Sequence, residues 1–363
     1  MRLLHFADLH LDAPFAWASP QTARLRRRHR RETLTRIVQV AREESVDAIL
    51  SAGDLFEHER VSPDTVEFLR TTFERAELPV YLAPGNHDWL SERSPYATVR
   101  WSPNVHVFTE TILQPVRLAD GVTLWGAAHR APANTDGFFD GVRIDREGVH
   151  LALAHASERS LLGWQESGKQ PHAPFDAAEI AASGLHHAFL GHYHRPRDAE
   201  RHTYPGNPDP LEFGEEGDRG VVIATIGADG SVVRSRRTVA VSQVHDVTVP
   251  LSGIAHTDDL RAAVVAALDG LDGCVRVTLE GEVPPTVEVD LRELGQCAPR
   301  LDGLVVTVGQ LARGYDMESI VDEPTIRGQF VRDAAAIEDP EMRRRVILTG
   351  LRALEGRTDL EVA

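Results

Sequence analysis

A chain of 363 residues is long for one domain, and a hydrophobic content of 42% is enough to bury a full core, so two domains are expected. A net charge of −16 argues against indiscriminate nucleic-acid binding, because an acidic surface repels the phosphate backbone. Only Cys274 and Cys297 are available for disulfides, the N-terminus is apolar for only a few residues, and no run approaches membrane-spanning length; a cytoplasmic chain with no membrane segment is expected, and metal binding falls to His, Asp and Asn.

The elements read in chain order as follows. Residues 2–7 are a buried strand ending at Asp8, and 21–45 a long helix that begins with a basic run from Arg24 to Arg31. Residues 47–50 form a short strand running into Gly53-Asp54. Residues 62–76 are a helix with Ser62 as cap and Pro63 in its first turn. Residues 79–83 are a strand ending at Pro84-Gly85-Asn86. This rhythm of strand, polar motif and helix points to α/β architecture with parallel strands. Beyond residue 104, strands at 105–108, 112–118 and 122–127 follow closely. Residues 131–148, containing Phe138 and Phe139, read as a surface loop, either ordinary or shaping the substrate site. Buried strands at 150–154 and 186–190 deliver His155, and then His192 and His194. Residues 220–227 and 231–238 form a hairpin across Gly227-Ala228-Asp229-Gly230.

The first domain closes near residue 240. After it come a strand (244–250), a helix (257–268), a strand (274–280), a helix (289–297) and a strand (303–308), a small α/β module spanning 241–333. A C-terminal amphipathic helix is expected over 334–356, within a segment 334–363 that either docks on a partner or packs on its own domain. Residues 242–363 hold 22 acids against 12 arginines, so most of the negative excess lies in this second part.

Five segments carry chemistry: Asp8-Leu9-His10, Gly53-Asp54, Gly85-Asn86-His87-Asp88, His155, and Gly191-His192-Tyr193-His194. Each follows an apolar strand, and residues at the C-terminal ends of parallel strands converge on one sheet edge. Carboxylate and amide oxygens suit hard divalent ions and imidazole suits Fe or Zn, so this mixed set fits Mn²⁺ or Fe²⁺, with Zn²⁺ as a further option. Asp54 can bridge two ions. Two ions about 3.5–4 Å apart activate water and steady the phosphoryl oxygens of an in-line displacement. His87 differs from the ligands: it points at the substrate, with Asp88 placed to hold its imidazole protonated for the leaving oxygen. Any one of these pieces alone reads equally well as a turn or strand end. Five in order, each after a strand, do not.

These residues resemble the calcineurin-like metallophosphoesterase superfamily, whose pattern is D-x-H, G-D, G-N-H-[DE], H and G-H-x-H, over roughly residues 1–240. Asp8 to Phe15 and Ala52-Gly53-Asp54-Leu55-Phe56 look most like its DNA-exonuclease branch, which holds SbcD and the YhaO-type proteins. The resemblance implies a four-layer α-β-β-α sandwich with a capping domain. It implies that Asp8, His10, Asp54 and His194 hold one metal, that Asp54, Asn86, His155 and His192 hold the other, and that His87 is the catalytic histidine. It also implies Mn²⁺-dependent DNA cleavage, 3′–5′ exonuclease with endonuclease activity, an SMC-like ATPase partner in DNA repair or defence, and a homodimer. Two features depart from the branch. Many of its members carry His directly after Gly-Asp-Leu-Phe, where this chain has Glu57 with His58 next, and the part beyond 240 matches only loosely.

Other features read two ways. Arg26 and Arg27 of the basic run grip substrate phosphate or belong to a solvated helix face, and His58 is a third candidate for contact with substrate. Phe15 and Trp17 stack on a base or sugar, or simply pack. His129 lines the cleft or closes a strand. The alternative enzyme is a phosphodiesterase for a small, cyclic nucleotide. A phosphoprotein phosphatase is disfavoured, because Gly-Asp-x-Val-Asp-Arg is missing. A non-catalytic scaffold predicts lost ligands, and every ligand position is filled.

Overall fold

The computed structural model describes residues 1–133, 136–165, 171–283, 287–313 and 315–354. The chain divides into two compact units, Met1–His245 with Asp272–Cys274, and Asp246–Leu271 with Val275–Ala363.

In the first unit, strand β1 (Arg2–Phe6), helix α1 (Pro20–Glu43), β2 (Ala48–Ser51), α2 (Pro63–Ala76), β3 (Val80–Leu82), α3 (Pro95–Thr98) and β4 (Val105–Val107) come first. There follow β5 (Gln114–Ala119), β6 (Val122–Gly126), β7 (Val149–His155), α4 (Leu162–Gln165), α5 (Ala177–Ala182), β8 (His187–Gly191), β9 (Arg197–Asp198), β10 (His202–Tyr204), β11 (Gly220–Ile226) and β12 (Val232–Thr238). They form two six-stranded sheets, β12-β11-β1-β2-β3-β4 and β5-β6-β7-β8-β10-β9. Strands β1 to β4 run parallel, as do β6, β7, β8 and β10, while β11 is antiparallel to β1.

Side-chain alternation sorts the layers. In β1, Leu4 and Phe6 pack with Leu34 and Ile37 of α1 and Leu69 and Phe73 of α2. Leu3 faces the other way and meets Leu50, Leu151, Leu153 and Phe189, so the two sheets press their inner faces together. Ala152, Ala154, Ala188 and Leu190 turn out toward Ile180 of α5. Helix, sheet, sheet and helix are therefore stacked in four layers, an α/β arrangement in which each sheet is mixed and has a run of parallel strands. Helices α1 and α2 begin where the sequence marks them: Ser19 and Ser62 each accept a backbone N–H, and Pro stands at each first turn. Phe138 and Phe139 are buried in the core behind the second sheet, so that part of the 131–148 segment is packed rather than a surface loop; residues 134 and 135 lie outside the described residues.

The second unit holds a three-stranded sheet, β13-β14-β15 (Val244–Pro250, Cys274–Val283, Gly303–Arg313), over α6 (Thr257–Ala267) and α7 (Leu291–Leu294). Helices α8 (Met317–Val321), α9 (Ile326–Ala334) and α10 (Pro340–Leu354) follow. Within the span expected to be helical, 334–356, one helix forms, α10, and it starts later, at Pro340. Helix α9 already ends at Ala334, and Pro340, whose missing N–H costs nothing at a first turn, starts α10. Residues 355–363 lie outside the described residues. Among the described residues no helix is long and apolar enough to cross a membrane.

Candidate metal centre

All five segments meet at the C-terminal edge of the two sheets. Phe6 is level with Ser51, Ser51 with Leu82, and His155 with Gly191, so Asp8, Asp54, Asn86, His155 and His192 leave their strands at one height. Getting them there requires unusual backbone. Asp8, His10 and Asp54 sit at φ 56°, 47° and 52°, and His192 at 108°. Positive φ at non-glycine residues is costly and clusters at functional sites. The motif glycines do a different job. A Cβ on Gly53 would lie 2.6 Å from His155 Nδ1 and 2.8 Å from Gly85 Cα, and one on Gly191 would overlap the Ala52 carbonyl oxygen. Their absent side chains let three loops close around one imidazole.

That imidazole, His155, is fully buried and donates from Nδ1 to the Ala52 carbonyl at 2.8 Å. Its Nε2 then faces Asn86 Oδ1 (2.9 Å), His192 Nδ1 (3.1 Å) and Asp54 Oδ2 (3.2 Å). On the other side of Asp54, His10 donates from Nδ1 to Glu57 at 2.8 Å and His194 from Nδ1 to Glu215 at 2.6 Å. His10 Nε2 is buried and makes no hydrogen bond to a described residue; it lies 3.6 Å from Asp54 Oδ2. Asp8 accepts the His192 N–H at 3.0 Å. Donor atoms of Asp8, His10 and His194, and those of Asp54, His155 and His192, lie within 4.8 Å of one another in each group.

This arrangement fits divalent metal. Lone pairs point at one another across about hydrogen-bond distance, and His155, His10 and His194 each have the other nitrogen tied to a carbonyl or carboxylate, which sets the tautomer a metal needs. Asp54 stands between the two donor groups. Burial opposes charge on His155, but Asp54 and Asp8 push its pKa up to about 9. Burial likewise disfavours the Asp54 carboxylate, yet His155, His87 and His10 hold its pKa well below the usual range. A cation would take the place of the protons these carboxylates attract.

His87 belongs to neither of these two groups, though its donor atom lies within 4.8 Å of those of His10 and Glu57, and it is half exposed at the rim of a cleft of about 580 Å³. Its Nδ1 donates to the second oxygen of Glu57 at 3.1 Å. Burial works against the charged ring, but Glu57 and Asp54 raise its pKa to about 9; Glu57, despite its own burial, is held at about 2 by His10 and His87. Glu57 therefore spans a donor histidine and the exposed one.

The packed fold corrects several expectations. Asp88 does not hold the His87 ring: it is buried, and its oxygens accept the N–H groups of Asp54 (3.1 Å), Leu55 (2.7 Å) and Gly85 (2.6 Å) and the Tyr96 hydroxyl (2.6 Å). Burial and Asp54 raise its pKa to about 6. It ties the two loops together, and Glu57 takes the place expected of it. Arg26 is fully buried, donating to the Pro210 carbonyl beside Asp209, and so cannot meet substrate. Arg27 is partly buried, with its guanidinium toward the Ala13 and Pro14 carbonyls. His58 stacks on Trp89 with centroids 4.1 Å apart and lines a separate depression with Val61 and Arg93. His129 is buried, donating from Nε2 to the His155 carbonyl at 2.7 Å, so it supports a donor instead of lining the cleft.

Glu215, Arg219 and the supporting role of Glu57 are not legible in the motifs. Glu215 accepts from Asn207 (2.7 Å) and the Leu211 N–H (2.5 Å) while Arg219 donates to the carbonyl of His194 (2.7 Å). Glu57 stands out in the sequence only as a departure from the branch pattern; Glu215 lies in an acidic, glycine-rich stretch that carries no motif.

A four-layer α-β-β-α fold with these donor groups and an exposed histidine defines a metal-dependent phosphoesterase, a hydrolase. The model of the calcineurin-like phosphoesterases matches residues 1–196, and the chain belongs to that family. It is 26% identical over 309 residues to the uncharacterized metallophosphoesterase YhaO of Bacillus subtilis, covering 78% of this chain and 72% of that protein. It is 24% identical to the SbcD component of the nuclease SbcCD of Bacillus subtilis, over 60% of this chain and 64% of that one. It is 28% identical to the DNA double-strand break repair protein Mre11 of Haloferax volcanii, over 83% and 67%. Among solved structures, a dimetal phosphatase from Danio rerio aligns with TM-score 0.41 at 13% identity, covering 66% of this chain and 96% of that one.

Proposed function

We propose that this protein is a Mn²⁺-dependent DNA nuclease, a 3′–5′ exonuclease with endonuclease activity, acting on phosphodiester bonds in DNA repair or defence. The observation that carries the reading is His87: a half-exposed imidazole held at the cleft rim by Glu57, beside the donor groups Asp8, His10, His194 and Asp54, His155, His192. The names of the SbcCD and Mre11 relatives support DNA as the substrate.

Asp8, His10, Asp54 and His194 would hold one divalent ion, and Asp54, Asn86, His155 and His192 the other. Such ions, when bound, supply hydroxide near neutral pH and draw charge off the phosphoryl oxygens. The chain's own contribution is to orient. Glu57 fixes the His87 ring, and the protonated His87 gives its proton to the leaving oxygen. Arg195, exposed on the same cleft, offers a charge for substrate phosphate. Hydrolysis belongs to residues 1–240, with 241–333 as a cap. By family resemblance the chain works as a homodimer with an SMC-like ATPase, and residues 334–363 are the docking segment.

The test is hydrolysis of end-labelled single- and double-stranded DNA by the purified chain with Mn²⁺, beside bis-p-nitrophenyl phosphate and a cyclic nucleotide. DNA shortening that disappears in His87→Ala is the expected result. Turnover of the cyclic nucleotide with DNA untouched, even after the ATPase is added, would overturn it.

A further inference from the structure

The cleft has two unlike walls. One is the polar donor set with Glu57 and His87. The other is largely apolar and comes from two loops: Phe15 and Trp17 after Asp8-Leu9-His10, and Leu211 and Phe213, with the exposed Glu212 between them, just before Glu215. Trp17 and Phe213 pair with centroids 4.6 Å apart at 53°, and the Trp17 indole N–H donates to the Leu211 carbonyl at 3.2 Å, which joins the loops and fixes the indole. Behind them Phe15 is buried, with the guanidinium carbons of Arg26 and Arg30 at 5.4 Å and 5.6 Å from its ring centre. Arg30 in turn donates to the carbonyls of Leu9 (2.6 Å), Asp209 (2.9 Å) and Pro210 (2.7 Å). The wall is braced from behind by two fully buried cations of α1.

Phe15 and Leu211 form a small buried cluster against which Trp17 packs. Phe15 and Leu211 are already buried, whereas Trp17 and Phe213 are only partly so and face the cleft. A cleft with phosphate chemistry on one side and a rigid aromatic face on the other suits a ligand with phosphate at one end and a flat ring at the other. We propose that Trp17 and Phe213 form a platform for the nucleobase attached to the phosphate being cleaved. The platform rests on the phosphodiesterase reading of the site and adds what the nucleotide itself contributes to binding. Stacking is tolerant of sequence, since every base has a π face, so the platform selects for a base and not for its identity. It also offers an acidic protein a way to hold nucleic acid that does not depend on a broad basic surface.

The test compares binding of deoxyadenosine 5′-monophosphate and deoxyribose 5-phosphate to the Mn²⁺-loaded full chain by calorimetry. The two probes share the phosphate and differ by the base. Wild type is expected to prefer the nucleotide by about ten-fold or more. Trp17→Ala and Phe213→Ala should remove most of that preference while deoxyribose phosphate binds as before, and Trp17→Phe should retain it. Equal loss of both ligands in each alanine variant would mean that the rings only shape the loops, and would overturn the platform. So would a preference that survives both substitutions. Failure of the DNA reading looks different: a base preference that depends on Trp17, in a protein that never cuts DNA, leaves the platform standing and removes only the polymer as substrate.

Discussion

The two halves of the candidate metal centre are built by different rules. On one side His155 is sealed between the sheets and oriented by a neutral group, the Ala52 carbonyl. On the other, His10 and His194 are oriented by carboxylates, Glu57 and Glu215, which border the cleft. His155 already has the buried carboxylates of Asp54 and Asp8 within 4 Å, so a further charge there would be expensive, whereas carboxylates at the cleft wall keep some solvation and make their imidazoles more basic. The buried half is thus oriented through a neutral carbonyl and the open half through carboxylates, and the open half also controls His87.

The largest effect that tests this contrast is on His87. His87→Ala should lower kcat by about 10²–10⁴-fold while metal content, measured by elemental analysis, stays at the wild-type level. Loss of metal in that variant would make His87 a ligand and erase the distinction between rim and donor set. Next come the carboxylates. Glu215→Ala should weaken metal binding about 10–100-fold in a chelator competition, with a fitted drop at one of two sites. Glu57→Ala should do the same and also lower kcat at saturating metal, because it frees both His10 and His87. Should both sites weaken equally with Glu215→Ala, the two halves are not independent.

In the buried half the sensitive position is a glycine. Gly191→Ala, whose Cβ meets the Ala52 oxygen and lies 2.8 Å from the Ala7 Cβ, should cost about 1–3 kcal/mol in denaturant unfolding. The same change at the exposed Gly163, which has no positive φ and nothing within 4 Å of the new carbon, should cost less than the Gly191 change.

The smallest effect is on pH. With metal stripped, His87 and His155 have pKa values raised to about 9 from about 6.5, so their stabilisation is complete below about pH 6.5 and is lost as pH rises through 9. Metal needs His155 deprotonated, so its stabilisation grows over the same range. The gap in Tm between loaded and stripped protein should widen from pH 6.5 to 9; a constant gap would mean that the donors do not exchange protons for metal.

Much of the site is legible in the chain because its donors are local to strand ends. Asp8, Asp54, Asn86, His155, His192 and His194 each follow a short buried run, and a parallel sheet brings such ends to one edge whatever else the fold does. The α/β layering is legible for the same reason: alternating strands and capped helices advertise their periods. Arg26 misled because a charged residue in a basic run reads as solvated, and only the packed fold shows Asp209, Pro210 and Phe15 around it. Asp88 misled because adjacency in sequence says nothing about which way a side chain turns. The tight turn after β3 sends Asp88 inward to unpaired N–H groups while His87 faces the cleft.

The sequence by itself determined the metal-binding chemistry, since donor type and strand-end position are written one residue at a time. Only the tertiary structure decided what supports it. Glu57 and Glu215 act on histidines 47 and 21 residues away, and Trp17 meets Phe213 across the cleft wall. Orientation and basicity depend on the direction of a hydrogen bond through space, and chain order carries no record of that direction.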